Sequence, residues 1–119
     1  MDMNTEKPLQ SKSYLFALNI VALCKHLADQ KEFVLSKQLL KSGTSIGANI
    51  EEAQHAESRK DFISKLSISL KESYESRFWI RLIHDTHPSV QKRTESLLIE
   101  INNIIPMLIS SIKTSRSKL

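Results

Sequence analysis

Both glycines of the chain lie four residues apart in one segment, SGTSIGANIEEAQHAE, which covers residues 42–57. The apolar spacing around this segment predicts a single helix over residues 34–56. A glycine in a helix interior costs about 1 kcal/mol relative to alanine, so Gly43 and Gly47 indicate that another backbone comes close at these positions. The segment therefore predicts the tightly packed helix of an all-helical domain.

Composition supports a helical fold and limits the class of protein. The chain has 119 residues, 40% of them hydrophobic, which suits one globular domain. Only two glycines and three prolines are present, which favours long helices over a turn-rich sheet. The lone Cys24 cannot form an internal disulfide, so a reducing cytoplasm is expected. The polar N-terminus and the lack of a continuous apolar run of about 18 residues predict no membrane association.

Apolar periodicity and helix-end signals predict an antiparallel, up-down-up-down four-helix bundle over residues 11–113. The short joint after the second helix, where Ser58 and Asp61 form a capping box, makes helices 2 and 3 antiparallel neighbours. The expected parts are a flexible segment over residues 1–10 in which Pro8 blocks an early helix, helices over about 11–24, 34–56, 59–83 and 89–113, and a flexible basic tail over 114–119.

The first and fourth helices have more apolar surface than a solitary bundle can bury. Between Tyr14 and Cys24 only Asn19 is polar, so the first helix is apolar on nearly every side. The fourth helix has apolar residues well beyond one stripe, and Pro106 predicts a kink near residues 102–103. We therefore expect copies of the chain to share this surface in a homo-oligomer.

Seven residues are expected to act in helix packing rather than in chemistry. A buried asparagine such as Asn49 fixes register in a helical seam. The face of helix 3 that carries Glu72 and Trp79 predicts a half-buried network of ion pairs with Lys71. The full packing set is Gly43, Ser45, Gly47, Asn49, Glu72, Glu75 and Trp79.

Two constellations leave alternatives open. Glu52 and His55 have the Glu-x-x-His spacing of di-iron bundles, with Glu72 and Glu75 on the next helix, although such a site needs the motif twice. No metal or cofactor is therefore expected, and a metal-binding bundle remains the weaker alternative.

A helical ribonuclease is the second alternative. Arg77 and His84 are separated by six residues, a spacing typical of one class of helical ribonuclease domains. In such a pair the arginine holds the scissile phosphate and the histidine imidazole transfers a proton. Arg81 and His87 repeat the pattern with five residues between them. Chance matches of this kind are expected in a chain with many arginines, and the main expectation is a protein that is not an enzyme.

Basic residues outnumber acidic ones, 17 to 13, which gives a net charge of +4. This excess permits an anionic partner, and several copies in one particle would multiply it. RNA or DNA, or another protein, is therefore a further expected partner. The candidate nucleic-acid-binding residues are Lys12, Lys25, Lys31, Lys37, Lys41, Lys113, Arg116 and Lys118.

The central segment resembles a known family. The motif Ser-Gly-Thr-Ser-Ile-Gly-Ala-Asn-Ile-Glu-Glu-Ala at residues 42–53, followed by Asp61-Phe62, Lys71-Glu72 and Trp79, is similar to the four-helix bundle proteins encoded by intervening sequences of 23S ribosomal RNA genes. The resemblance implies a left-handed bundle that assembles into a pentameric ring. A more distant similarity is to the accessory variability determinant of diversity-generating retroelements, a ring that binds nucleic acid through a basic surface. No catalytic residue comes with the resemblance.

Overall fold

The computed structural model describes residues 8–119, and within these residues the chain forms four α-helices, one short 3-10 helix and no strand. The helices are α1 Pro8–Asp29, α2 Phe33–Ala53, α3 Arg59–Thr86 and α4 Gln91–Arg116, with the 3-10 helix Pro88–Val90 before α4. The long dimension of the molecule is 47 Å, against 25 and 19 Å across. The expected all-helical fold with four long helices is confirmed.

The first helix is longer at both ends than the sequence predicts. It begins at Pro8, because a proline in the first turn replaces an N–H that would have no helical partner. Residues 8–10 of the predicted flexible segment are therefore helical, whereas residues 1–7, where Pro8 is expected to block an early helix, lie outside the described residues. At the other end α1 continues to Asp29, because Leu23 and Leu27 remain fully buried while polar neighbours such as Lys25 face solvent.

The joint between α2 and α3 has the predicted cap. The Ser58 hydroxyl accepts a hydrogen bond from the Asp61 N–H at 3.0 Å, and the Asp61 carboxylate accepts one from the Glu57 N–H at 3.3 Å. Helix α3 ends at Thr86, before Pro88 as expected, although residues 84–86 are helical rather than part of a loop. Helix α4 continues three residues past its predicted end, to Arg116.

Each helix contacts two others. Helix α1 packs against α2 and α4, and α3 packs against the same two, so α1 and α3 lie on non-adjacent positions of the bundle. The contacts pair Ile20 with Gly43, Ser13 with Gly47, Ile46 with Ser69, Ser42 with Ser76, Arg77 with Asn102, His84 with Thr94, and Asn19 with Glu100.

The core is mostly aliphatic, but α3 contributes an unexpected set of small polar residues. Tyr74 and Phe78 continue the four-residue apolar spacing of Leu66 and Leu70, yet both are exposed in the structure. Fully buried Ser69, Ser73 and Ser76 take the inward positions instead. Their hydroxyls are hydrogen-bonded, Ser69 and Ser76 to α2 and Ser73 within α3. The serine side chains are small, and α2 therefore approaches α3 closely.

Pro106 lies inside α4 without breaking it, since the helix is continuous from Gln91 to Arg116. Within the described residues, the segment Pro88–Arg116 is long and apolar enough, by length and composition only, to cross a membrane. Core helices of soluble proteins commonly pass the same test, and α4 buries Ile101 and Leu108 completely.

Candidate interaction surfaces

The two glycines of the defining segment have different environments. Gly43 is buried, and a Cβ placed on it would lie 2.9 Å from two side-chain carbons of Ile20. Gly47 is half-buried, and a Cβ there would meet the Ser13 backbone at 3.5 Å, an ordinary contact. Only Gly43 is therefore required by a close approach of α1 to α2.

Two polar residues of the predicted packing set, Ser45 and Asn49, form their side-chain hydrogen bonds within α2. The Ser45 hydroxyl donates to the Lys41 carbonyl at 2.7 Å, and the Asn49 amide donates to the Ser45 carbonyl at 2.8 Å. Asn49 is half-buried and makes no side-chain hydrogen bond to another helix among residues 8–119. The interpretation of Asn49 as a residue that fixes the register between helices is therefore wrong.

The predicted ion pairs between Lys71 and the acids of α3 are not formed within the described residues, so this prediction is also wrong. The Trp79 indole N–H donates to the Glu75 carboxylate at 3.0 Å, one turn away. In the described part of the chain, neither Glu72 nor Glu75 has a basic nitrogen within 4.0 Å. Partial burial and the nearby charge of Glu75 raise the pKa of Glu72, and the charges of Lys41 and Lys71 oppose this shift only in part. These carboxylates are thus left without a close cation.

One side of α3 combines these two acids with apolar side chains. Ile68 and Leu82 are more than a third exposed, and Trp79 is half-buried with its ring edge against Phe78 at 5.1 Å between centroids. We call this set, Ile68, Glu72, Glu75, Trp79 and Leu82, the acidic α3 face. The sequence analysis places Glu72 and Trp79 on one face of this helix, and the structure leaves both partly accessible.

The outward side of α1 is apolar, as the sequence predicts. Tyr14, Leu15, Leu18 and Val21 are 66%, 56%, 48% and 40% exposed, and they form the α1 outer face. No other described helix covers them. The opposite side of α1 supplies the core through Phe16 and Ile20.

The α1 outer face continues into a groove between α1 and α2. Small or apolar side chains line the groove, and two exposed lysines flank it. We call this set, Val21, Cys24, Lys25, Ala28, Phe33, Ser36, Lys37 and Leu40, the basic groove. Phe33 is 60% exposed. Sequence reasoning missed the α2 side of this groove, although the exposed pair Phe33 and Val34 directly after a polar turn is a visible signal.

Helix α4 has less uncovered apolar surface than expected. Leu97, Ile104 and Ile105 are buried within the chain. Ile99 is the most exposed of its large apolar residues, at 66%, and it belongs to α4 rather than to the α1 outer face. The argument for shared apolar surface therefore rests mainly on α1, because α4 buries part of its second apolar stripe and leaves only Ile99 and Ile109 of its large apolar residues more than a third exposed.

The candidate nucleic-acid-binding residues do not form one patch. Lys25 and Lys37 share the basic groove, while Lys12 lies between α1 and α4 near Glu100. The others are Lys31 in the α1–α2 connection, with φ of +66°, Lys41 on α2, and Lys113, Arg116 and Lys118 at the C-terminal end of the chain. Within residues 8–119, none of the eight has a carboxylate within 4.0 Å.

The candidate metal ligands are separated. Glu52 is bound to Lys65 of α3, with 3.0 Å between Oε1 and Nζ, and this bond raises the pKa of Lys65. Glu72 lies seven residues farther along α3, which is about 10 Å. His55 is 78% exposed at the end of α2. Among the residues from 8 onward, no group of three His, Cys, Asp or Glu side chains is arranged to hold a metal ion.

The two candidate ribonuclease residues, Arg77 and His84, both contact other side chains of the fold. Arg77 donates to the Asn102 side chain at 2.9 Å and lies over the Tyr74 ring at 5.3 Å. The His84 ring bonds the Thr94 hydroxyl at 2.7 Å. Six residues of helix lie between Arg77 and His84, which places their backbones about 10 Å apart along α3, so the two do not converge on one phosphate. No observation favours the ribonuclease alternative.

Comparisons with known proteins agree with the resemblance seen in the central segment. The family model of the 23S rRNA-intervening sequence protein matches residues 7–110. The crystal structure of a protein of unknown function from the S23 ribosomal protein family of Bacteroides thetaiotaomicron VPI-5482 is similar, with 50% sequence identity and a TM-score of 0.84. The match covers 88% of this chain and 98% of that chain. A search among curated proteins gave no match. The chain therefore belongs to the family of 23S rRNA-intervening sequence proteins.

Proposed function

We propose that the protein is a non-enzymatic cytoplasmic scaffold, a homo-oligomer of antiparallel, left-handed four-helix bundles. The contact pairs support the antiparallel arrangement, because residue numbers rise along one helix of each pair and fall along the other. The handedness and a pentameric ring follow from the resemblance to the family.

The α1 outer face is the observation that carries this proposal. Four large apolar side chains lie side by side on α1 and are 40–66% exposed. Contiguous apolar surface on a small domain commonly marks an interaction site, and a second copy is always available as the partner. Burying this face between copies removes its apolar area from water.

The mass of the native particle tests the assembly. We expect light scattering at micromolar concentration to give a multiple of the 13.6 kDa chain mass. Leu18→Gln should reduce the particle to monomers without unfolding it, because Leu18 contributes little to its own core. Ile99→Gln is the matched control, since Ile99 is at least as exposed but lies outside the α1 outer face. A wild-type monomer would refute the proposal.

Nucleic-acid binding is a second role, favoured by a group of cations at one end of the bundle. The C-terminal end of α4 lies against the α2–α3 joint, where Ser115 and Arg59 line one depression. The joint also has four acids, but five exposed cations at this end have no carboxylate within 4.0 Å among residues 8–119: Arg59, Lys60, Lys113, Arg116 and Lys118. A ring of five chains of charge +4 carries +20, and phosphate contacts add with the number of cations presented together.

Binding of a short single-stranded RNA, followed by fluorescence anisotropy, tests this role. The affinity should fall steeply between about 50 and 200 mM salt. Lys113→Glu with Arg116→Glu should weaken binding further, whereas Lys92→Glu with Arg93→Glu makes the same charge change at the opposite end and should have less effect. If the parent protein fails to bind at low salt, only the scaffold role remains.

A further inference from the structure

Two surfaces of the molecule have complementary charge and are built from different helices, one from α1 and α2 and the other from α3. In the basic groove, Lys25 and Lys37 flank the apolar Val21 and Leu40. On the acidic α3 face, Glu75 and Glu72 lie one and two turns before Trp79. Among residues 8–119, none of these four charged groups has an opposite charge within 4.0 Å. Both surfaces therefore have charges without a close ionic partner next to apolar area, and the charges of Lys41 and Lys71 act on Glu72 only from a greater distance.

The charges disfavour contact between identical surfaces. If two basic grooves met about a two-fold axis, lysines would face lysines, and two acidic α3 faces would bring Glu72 and Glu75 against the same residues of the partner copy. Like charges opposed across an interface are strongly unfavourable, whereas opposite charges steer and orient association. Contact between unlike surfaces is thus favoured over contact between like ones.

We propose that the basic groove of one copy receives the acidic α3 face of the next copy, so that the chains associate head to tail. The floor of the groove has small side chains, Cys24, Ala28 and Ser36, which leave room for an inserted ring or aliphatic group. Trp79 and Leu82 are the apolar groups that enter, and Lys25 and Lys37 meet Glu72 and Glu75. This inference rests on the proposed assembly: the groove shares Val21 with the α1 outer face, so the α3 face that enters it would also cover the adjoining part of the α1 outer face.

Head-to-tail contact has a consequence for the shape of the particle. Because each copy uses one surface on α1 and α2 and a different one on α3, a dimer leaves one surface of each kind open. Further copies are then added until the rotation closes a ring. Apolar burial and charge pairing act in the same contact, so assembly should weaken with added salt but not vanish.

Charge reversal tests the pairing. The groove variant is Lys25→Glu with Lys37→Glu, and the face variant is Glu72→Lys with Glu75→Lys. Each should raise the dissociation constant of assembly on the order of 100-fold, measured from the native mass as a function of protein concentration at low salt. The four substitutions in one chain should restore assembly to within about tenfold of the parent, because both surfaces then exchange sign. Lys113→Glu with Lys118→Glu is the matched control away from both surfaces and should leave the mass unchanged.

The outcomes separate this inference from the proposal on which it rests. A parent protein that is monomeric ends both. A parent that assembles, with groove and face variants that keep its mass, overturns the pairing but leaves the scaffold role. A four-substitution variant that is folded by circular dichroism yet monomeric also overturns the pairing. If a reversal variant does not fold, the neutral pairs Lys25→Gln with Lys37→Gln and Glu72→Gln with Glu75→Gln replace it, each with an expected loss of about tenfold.

Discussion

Ile20 lies directly against the Cα of Gly43, and its two γ carbons occupy the space that a Cβ would need. Isoleucine is stiff at χ1, so it cannot turn away without disturbing α1. At Gly47, one turn later, the nearest atoms belong to Ser13 and stand at normal contact distance. The tight approach of α1 to α2 is therefore located at a single residue.

We predict opposite effects of alanine at the two glycines. Gly43→Ala should destabilise the fold, because overpacking costs about 1–3 kcal/mol and exceeds the gain of about 1 kcal/mol in helix propensity. Gly47→Ala should be neutral or stabilising by up to about 1 kcal/mol. Chemical denaturation of both variants measures the difference. Equal stability of the two variants would contradict the close contact with Ile20.

Burial raises the pKa of the Cys24 thiol to about 11, from an ordinary value of 9.0. We predict that at pH 8 only about a thousandth of it is thiolate, so alkylation by iodoacetamide is slow and its rate rises about tenfold per pH unit up to pH 10. The denatured chain should react near the ordinary rate. Because its pKa is higher in the folded state, the neutral Cys24 thiol favours folding. This contribution to the free energy of unfolding is complete below pH 9 and is lost as the pH rises toward 11. A fast, pH-independent reaction would contradict this environment.

At the scale of elements, the contact between α2 and α3 depends on serine. Ser76 donates to Ser42 across the interface at 2.9 Å, and Ser69 donates to the Ile46 carbonyl at the same distance. Both α3 serines are fully buried. Their small volume sets the distance between the helices, and their hydroxyls are satisfied by bonds to α2.

We predict that a large side chain at Ser76 separates α3 from α2. Ser76→Leu should cost about 1–3 kcal/mol or more, because the added carbons have no space and the Ser42 hydroxyl loses its partner. Ser64→Leu is the matched control, since Ser64 is exposed on the same helix and should change stability by less than about 0.5 kcal/mol. Thermal unfolding followed by circular dichroism compares the two. Similar melting temperatures of the two variants would show that the α2–α3 interface has room for a larger side chain at Ser76, contrary to the prediction.

At the scale of the whole molecule, assembly should make stability depend on concentration. Copies that bind only in the folded state stabilise one another by mass action, so the melting temperature should rise as protein concentration increases. The Leu18→Gln variant should melt at a temperature independent of concentration, because its α1 outer face no longer supports contact. A parent protein with a constant melting temperature over a hundredfold concentration range would contradict a reversible assembly.

The sequence by itself determined the helices, because apolar spacing, the Ser58 cap and the scarcity of glycine act locally along the chain. It also identified the surplus apolar side of α1. It could not assign the inward face of α3, since Tyr74 and Phe78 are more apolar than the buried serines. Only the packing of α2 against α3 decided that small residues belong inside. The basic groove likewise depends on the tertiary structure, because its lining comes from two helices whose distance no local pattern specifies.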